Sequence, residues 1–204
     1  MRYTARVRHT ADTTYTLIQG WIPSAHHVVS PNYNARPAEA EPNLIVVHNI
    51  SLPPGEFGGG YINALFTNCL DPAVHPYFAE ICDLRVSSHF LISRGGELTQ
   101  YVATDDRAWH AGHSEWCGRG NCNDFSIGIE LEGTDDEPYA EEQYAVLVQL
   151  IDLLQREYPS IAADAIVGHS DIAPGRKTDP GPAFDWPKLW AQLRLERSQQ
   201  GRAT

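Results

Sequence analysis

Phe125-Ser126-Ile127-Gly128-Ile129-Glu130-Leu131 (FSIGIEL, 125–131) alternates large apolar residues with Ser, Gly and Glu. A period of two is the mark of a strand, and it places Ser126, Gly128 and Glu130 together on one face. A carboxylate on such a strand is costly unless it has a partner or a chemical task. Glu130 therefore marks the strand as both structural and a candidate for function.

Working outward, Leu44-Ile45-Val46-Val47-His48 is a short, mostly β-branched run that reads as a buried strand ending in His48. Pro53-Pro54-Gly55 and Gly58-Gly59-Gly60 bracket a loop after it, and residues 61–70 and 74–82 read as short helical pieces. Ser88–Ser93 and Glu97–Ala103 are alternating runs separated by Arg94-Gly95-Gly96, a hairpin signal. Residues 141–157 carry apolar side chains at 144, 147, 148, 151 and 154, the spacing of an amphipathic helix. Ala165–Gly168 is a short strand that leads into His169. Asp185 before Trp186-Pro187 reads as the N-cap of a last helix reaching about Arg197. Residues 23–43, rich in Pro, Asn, Ala and Ser, read as an irregular lead-in. Strands and helices mixed in this order, with a hairpin in the middle, predict an α/β protein of the α+β type: a central mixed β-sheet flanked by helices. No repeat or low-complexity tract divides the 204 residues, so one domain over 1–204 is expected.

A net charge of −11 gives the chain no electrostatic reason to bind nucleic acid or an anionic membrane surface. No apolar run approaches the roughly 18–20 residues of a membrane span. Met1–Gly20 has basic residues but no apolar segment of the kind that marks export, so a cytoplasmic location is expected. The cysteines, Cys69, Cys82, Cys117 and Cys122, form no CxxC pair. They are expected to be reduced and mostly small buried side chains.

Two of the nine histidines, His48 and His169, sit at the ends of apolar strand-like runs, where a ring can face a cleft while the strand fixes it. The stretch 168–181, GHSDIAPGRKTDPG, packs His, Lys and Asp into a Gly/Pro-rich loop. Two histidines and one aspartate with a position left open is the pattern of a catalytic zinc site. Zinc makes water a nucleophile near neutral pH, a carboxylate can take the proton, and a lysine can oppose oxyanion charge. Spacing alone leaves alternatives open. Asp171 competes with Asp179 as ligand, Glu130 could be a salt-bridged core residue, and Lys177 a solvated charge.

The stretches VVHNISLPPGEFGGGYI (46–62), LFTNCLDP (65–72), HPYFAEI (75–81), RVSSHFLISRGGELTQYV (85–102), RAWHAGHS (107–114), CNDFSIGIELEGTD (122–135) and IVGHSDIAPGRKTDPGPAFDW (166–186) carry a resemblance. Together they resemble the zinc-dependent N-acetylmuramoyl-L-alanine amidases, relatives of a phage lysozyme and of the peptidoglycan-recognition proteins, over about residues 15–195. The likeness is greatest to the cytoplasmic branch that acts on 1,6-anhydromuropeptides in Gram-negative bacteria. It implies one Zn2+ held by His48, His169 and Asp179, the last standing where the phage enzyme has Cys. It implies Glu130 as general base, Lys177 as support for the tetrahedral intermediate, and Tyr77 at the position of a catalytic-site tyrosine. Asn49, Arg85 and Trp109 match positions lining the substrate cleft. His110 is expected to shape the cleft rather than bind metal, and His89 to be a structural hydrogen-bonder. Relatives commonly carry a basic residue directly before CNDFS; here Asn121 stands there, with Arg119 two residues earlier. Arg85 and Arg119 are the cations expected to meet the carboxylates of the peptide. The N-terminus is longer than the family minimum.

The resemblance implies a monomer that hydrolyses the amide between anhydro-N-acetylmuramic acid and L-alanine during cell-wall recycling. It also implies a link to β-lactamase induction. A periplasmic amidase acting on intact peptidoglycan and a non-catalytic muropeptide-binding module are the alternatives.

Overall fold

The computed structural model describes residues 15–200. Most of the stretch read for an export signal, residues 1–14, lies outside them. The elements in chain order are β1 (His26–His27), β2 (Tyr33–Ala35), β3 (Leu44–Ile50), α1 (Tyr61–Phe66), α2 (Pro76–Ile81), β4 (Phe90–Ile92) and β5 (Leu98–Gln100). There follow β6 (Asp106–Ala108), β7 (Glu115–Trp116), β8 (Arg119–Gly120), a 3-10 turn at Cys122–Asp124 and β9 (Ser126–Glu132). The chain ends in α3 (Glu141–Glu157), β10 (Ile166–Gly168), α4 (His169–Ile172) and α5 (Trp186–Gln200).

Six strands form one mixed sheet in the order β1-β5-β4-β9-β3-β10. Only β4 and β5, the predicted hairpin, run antiparallel. β3 and β9 are interior strands of it and pair in parallel from Leu44 opposite Ser126 to Ile50 opposite Glu132. Their alternation divides the core. Ile45, Val47, Ile127, Ile129 and Leu131 point into a cluster closed by Tyr144, Leu147, Val148, Ile151 and Leu154 of α3 and Leu189 and Leu193 of α5. The opposite face carries two smaller clusters. One packs α1 and α2 through Ile62, Leu65, Phe66 and Phe78, and the other gathers Leu44, Val46, Cys122 and Phe125.

Helix α3 keeps its predicted bounds because its apolar stripe matches the sheet and its ends suit the helix dipole. Glu141 and Glu142 lie in the first turn and Arg156 in the last. Gln143 ties its start to the sheet by donating to the carbonyls of Ile92 and Glu132. Asp185 caps α5, its Oδ1 accepting from Lys188 N at 2.9 Å. The two short helices are briefer than expected. α2 starts only at Pro76, where His75 Nδ1 accepts from Tyr77 N. α1 stops at Phe66, with Asn68 in the left-handed region at φ 60°.

Two expectations need correction. The lead-in is ordered: β1 extends the main sheet through β5, and β2 pairs antiparallel with β6. Its anchor is the Arg36 guanidinium, which donates to the carbonyls of Thr104, Asn123, Asp124 and Ser126. An arginine clamp leaves no hydrophobic period to read. Among the cysteines, all free, only Cys122 is buried; Cys69 and Cys117 are exposed and Cys82 half-buried. They fall in turns and helix ends rather than on core-facing positions.

Candidate metal centre

Three parallel strands deliver the site. In register, His48 of β3 stands opposite Glu130 of β9, and β10 ends at Gly168 opposite Val47, so His169 follows beside His48. The carboxyl ends of parallel strands are where such sheets bind ligands. The third residue arrives from the loop after α4. Gly168 has no side chain where Pro180 crosses; an added Cβ would lie 2.8 Å from Pro180 Cδ. The loop is tied down by Ser170 N donating to the Asp179 carbonyl, and by Tyr139 Oη and Asn49 Nδ2 donating to that of Pro180.

As a result, His48 Nδ1, His169 Nδ1 and Asp179 Oδ2 converge, each pair 3.0 Å apart. All three residues are buried. These residues form a group that could hold a metal ion. A tetrahedral zinc with ligand bonds of about 2.0–2.1 Å would separate its ligand atoms by roughly 3.3 Å, so the spacing fits with a shift of a few tenths of an ångström. The donor chemistry fits too. His169 Nε2 lies 3.0 Å from the Ala111 carbonyl, which can only accept. Nε2 therefore carries the proton, leaving the Nδ1 lone pair turned toward the centre. Asp171 is excluded from the group: its Oδ2 accepts from Gly168 N and caps α4.

Burial lowers the His48 imidazole to about 4, with His169 and Lys177 adding to the effect and Asp179 opposing it. It is neutral near pH 7, as a ligand must be. Glu130 goes the other way. Burial and then the Asp179 charge push its carboxyl well above the usual range, opposed by Lys177. Its buried Oε2 has no hydrogen-bond partner among the described residues, so it is not a salt-bridged core residue.

The centre opens on a cleft of about 360 Å³ lined by His48, Glu130, His169 and Asp179 together with Asn49, Tyr77, Trp109 and Lys177. Lys177 is exposed at its rim and Tyr77 and Trp109 are half-buried. Much of the remaining wall is apolar: Leu52, Leu65, Phe66, Ile81, Leu84 and Val86. The Asn49 amide is engaged, donating to Asp135 at 2.8 Å as well as to Pro180. Two expected contacts are not brought in. Arg85 is exposed and turned to the carbonyls of Cys82 and Leu84. Arg119 stacks on the Phe125 ring at 3.9 Å and lines a separate groove with Pro37 and Glu39. A guanidinium held over an aromatic face is not free to reach the cleft.

His89 holds the sheet, its Nδ1 accepting from Gly128 N and its Nε2 donating to the Asp106 carbonyl. The sequence reading missed the supports around the metal centre. Asn123 Oδ1 accepts from the backbone N–H groups of both His110 and Ala111, fixing the segment that meets the two histidines. No periodic signal marks such a residue; only the small Gly128 beside Glu130 hinted that something packs there.

The family described as N-acetylmuramoyl-L-alanine amidase matches residues 38–182. A relative from Enterobacter cloacae, 1,6-anhydro-N-acetylmuramyl-L-alanine amidase AmpD, is 60% identical over 177 residues, 87% of this chain and 94% of its own length. The crystal structure of a selenomethionine AmpD derivative superposes with a TM-score of 0.84 at 57% identity, covering 87% of this chain and 98% of that one. The Escherichia coli amidase AmiD, solved with anhydro-N-acetylmuramic acid-L-Ala-D-γ-Glu-L-Lys, superposes with a TM-score of 0.56 at 30% identity, covering 78% of this chain and 60% of that one. With nearly its whole described length matched in sequence and in fold, the chain belongs to the N-acetylmuramoyl-L-alanine amidase family.

Proposed function

We propose that this chain hydrolyses the amide bond between 1,6-anhydro-N-acetylmuramic acid and L-alanine in soluble muropeptides, using one Zn2+ held by His48, His169 and Asp179. The observation that carries it is the convergence of two imidazole Nδ1 atoms and a carboxylate oxygen beside a buried, unpartnered Glu130 at the floor of a cleft. The names of the relatives support the substrate. When bound, the zinc supplies Lewis acidity and lets water act as a nucleophile near neutral pH.

The protein's own groups do the rest. Glu130 Oε2 has no competing donor, so it is free to accept the proton of the attacking water. The raised pKa of that carboxyl lets it keep the proton and return it to the departing alanine nitrogen. Lys177, at the cleft rim, opposes negative charge growing on the carbonyl oxygen, and the Tyr77 hydroxyl is a second donor on the same wall. Trp109, fixed by its indole N–H donating to Asn34 Oδ1, offers a flat wall to the sugar or peptide stem. Cleavage of released fragments gives anhydro-sugar and free peptide, the products of cell-wall recycling in the cytoplasm.

Digestion of a defined 1,6-anhydro-N-acetylmuramyl tripeptide, with and without chelator, tests this. Anhydro-sugar and intact tripeptide identified by mass, abolished by chelator and restored by zinc, are the expected result. Chelator-resistant cleavage, cleavage within the peptide, or a preference for polymeric wall would overturn it.

A further inference from the structure

We propose that His110, seated over Gly128 and anchored by Ser126, is a positioning residue that locks His48 in the tautomer needed to bind metal. It rests on the zinc reading of the centre. His48 Nε2 lies 2.9 Å from His110 Nδ1, His110 Nε2 lies 3.1 Å from Ser126 Oγ, and Ser126 Oγ lies 2.6 Å from the Cys122 carbonyl oxygen.

The direction of this chain is set from its far end. A carbonyl can only accept, so the Ser126 hydroxyl spends its single proton on Cys122. Ser126 Oγ then meets His110 through a lone pair, and His110 Nε2 must carry the proton of the neutral ring. That leaves His110 Nδ1 as an acceptor, which calls for the proton of His48 on Nε2. His48 Nδ1 is bare, and it points at Asp179 Oδ2 and His169 Nδ1. His169 reaches the same state through the Ala111 carbonyl. Three acceptors therefore face one another at 3.0 Å with no proton assigned between them. That arrangement is repulsive without a cation and attractive with one.

Gly128 supplies the independent observation. A Cβ there would stand 2.5 Å from His110 Cγ and 2.7 Å from its Nδ1. The His110 ring thus occupies the place of the missing side chain on the strand between Ser126 and Glu130. The same face of β9 holds the anchor, the seat and the proton acceptor in successive outward positions. His110 cannot itself reach the metal group while His48 stands between, so its influence passes through the His48 ring.

The test is zinc affinity, measured by competition with a chromophoric chelator on protein shown to be folded by circular dichroism. The expected result is a 10–100-fold weaker zinc dissociation constant for His110→Leu, which removes the acceptor. His110→Asn places an amide oxygen where Nδ1 stood and should bring the constant back to within a few-fold of native. Gly128→Ala should behave like His110→Leu, and Ser126→Ala should lose less, because His110 keeps its place but not its fixed tautomer. Native affinity in His110→Leu overturns the proposal, as does an equal loss in His110→Asn and His110→Leu, which would mark a role in packing alone. If His110→Leu does not fold, Ser126→Ala decides: unchanged affinity overturns the proposal and a several-fold loss sustains it. Native protein that takes up no zinc overturns this and the metal reading together. Native protein that binds zinc but leaves the anhydromuropeptide uncut overturns only the proposed substrate.

Discussion

His48 and Glu130 face each other across the parallel pair β3 and β9, in the same register that aligns Val46 with Gly128. The metal-facing imidazole and the carboxylate are thus placed by backbone hydrogen bonding rather than by loops. Precision of this kind is what proton transfer requires of a base.

Glu130→Gln should keep fold and zinc while turnover falls by about 10²–10⁴. The same change should stabilise the metal-free protein near neutral pH. Burial raises the folded pKa of Glu130, so its ionisation works against the folded state as pH rises above the unfolded value. Below about pH 4, where both states are protonated, the advantage should vanish. Thermal melts of both proteins at pH 4 and pH 7 measure this, and a lower Tm for Glu130→Gln at pH 7 would contradict it.

The metal-free protein should lose stability on acidification from about pH 6.5 toward 4. His48 is lowered to about 4 and His89 to about 3, both chiefly by burial. Their folded pKa values lie below the unfolded one, so the contribution is present above pH 6.5 and is lost as pH falls through the folded values. Each histidine adds a slope of about 1.4 kcal/mol per pH unit in that window. Denaturant titrations at half-unit intervals should show the decline, and a flat profile would reject it. Zinc should raise stability throughout and carry the decline to lower pH rather than flatten it, because it holds His48 unprotonated in the folded state.

Lys177→Ala should lower kcat by about 10²–10³ with KM changed less, because its charge is needed most as negative charge grows on the carbonyl oxygen. Steady-state kinetics on the anhydromuropeptide decide. A rise in KM alone would reassign Lys177 to ground-state binding of a substrate carboxylate.

Arg119→Ala should leave KM unaltered. Its guanidinium lies over Phe125 and lines a groove apart from the cleft. The cost should appear as about 0.5–1 kcal/mol of stability through the lost stacking. A KM raised tenfold would mean that substrate recruits this side chain after all.

β9, the hairpin and α3 were legible because each carries a period of two or 3.6 on a buried face, and β3 and β10 because each is a short, continuous apolar run. The shared face of Ser126, Gly128 and Glu130 was legible from the period of β9. Spacing alone left Asp179 and Asp171 open, and the resemblance chose Asp179; both sit in one loop, and the closure of Pro180 against Gly168 brings Asp179 into the group while Asp171 caps a helix. β2, β6, β7 and β8 escaped because their two or three residues are mostly exposed and carry no apolar pattern, unlike the equally short but buried β4, β5 and β10. His110 was read as a residue that shapes the cleft, and it does line it, but its link to His48 was not legible, and Arg36 escaped altogether, because their partners are side chains or backbone carbonyls distant in sequence.

The parallel pairing of β3 with β9 and β10 also bears on the order of events during folding. His48 and His169 are separated by 121 positions in the chain, and Asp179 lies ten further on. Contacts of such long range form slowly, since much of the chain must be closed into a loop before they are rewarded. A nascent chain emerging from the ribosome can display His48 and Glu130 yet hold no complete ligand set until residue 179 has cleared the exit tunnel. Completion of this group is thereby deferred until residue 179 has emerged, and a chain truncated before α4 would lack two of its three residues however well its first strands paired.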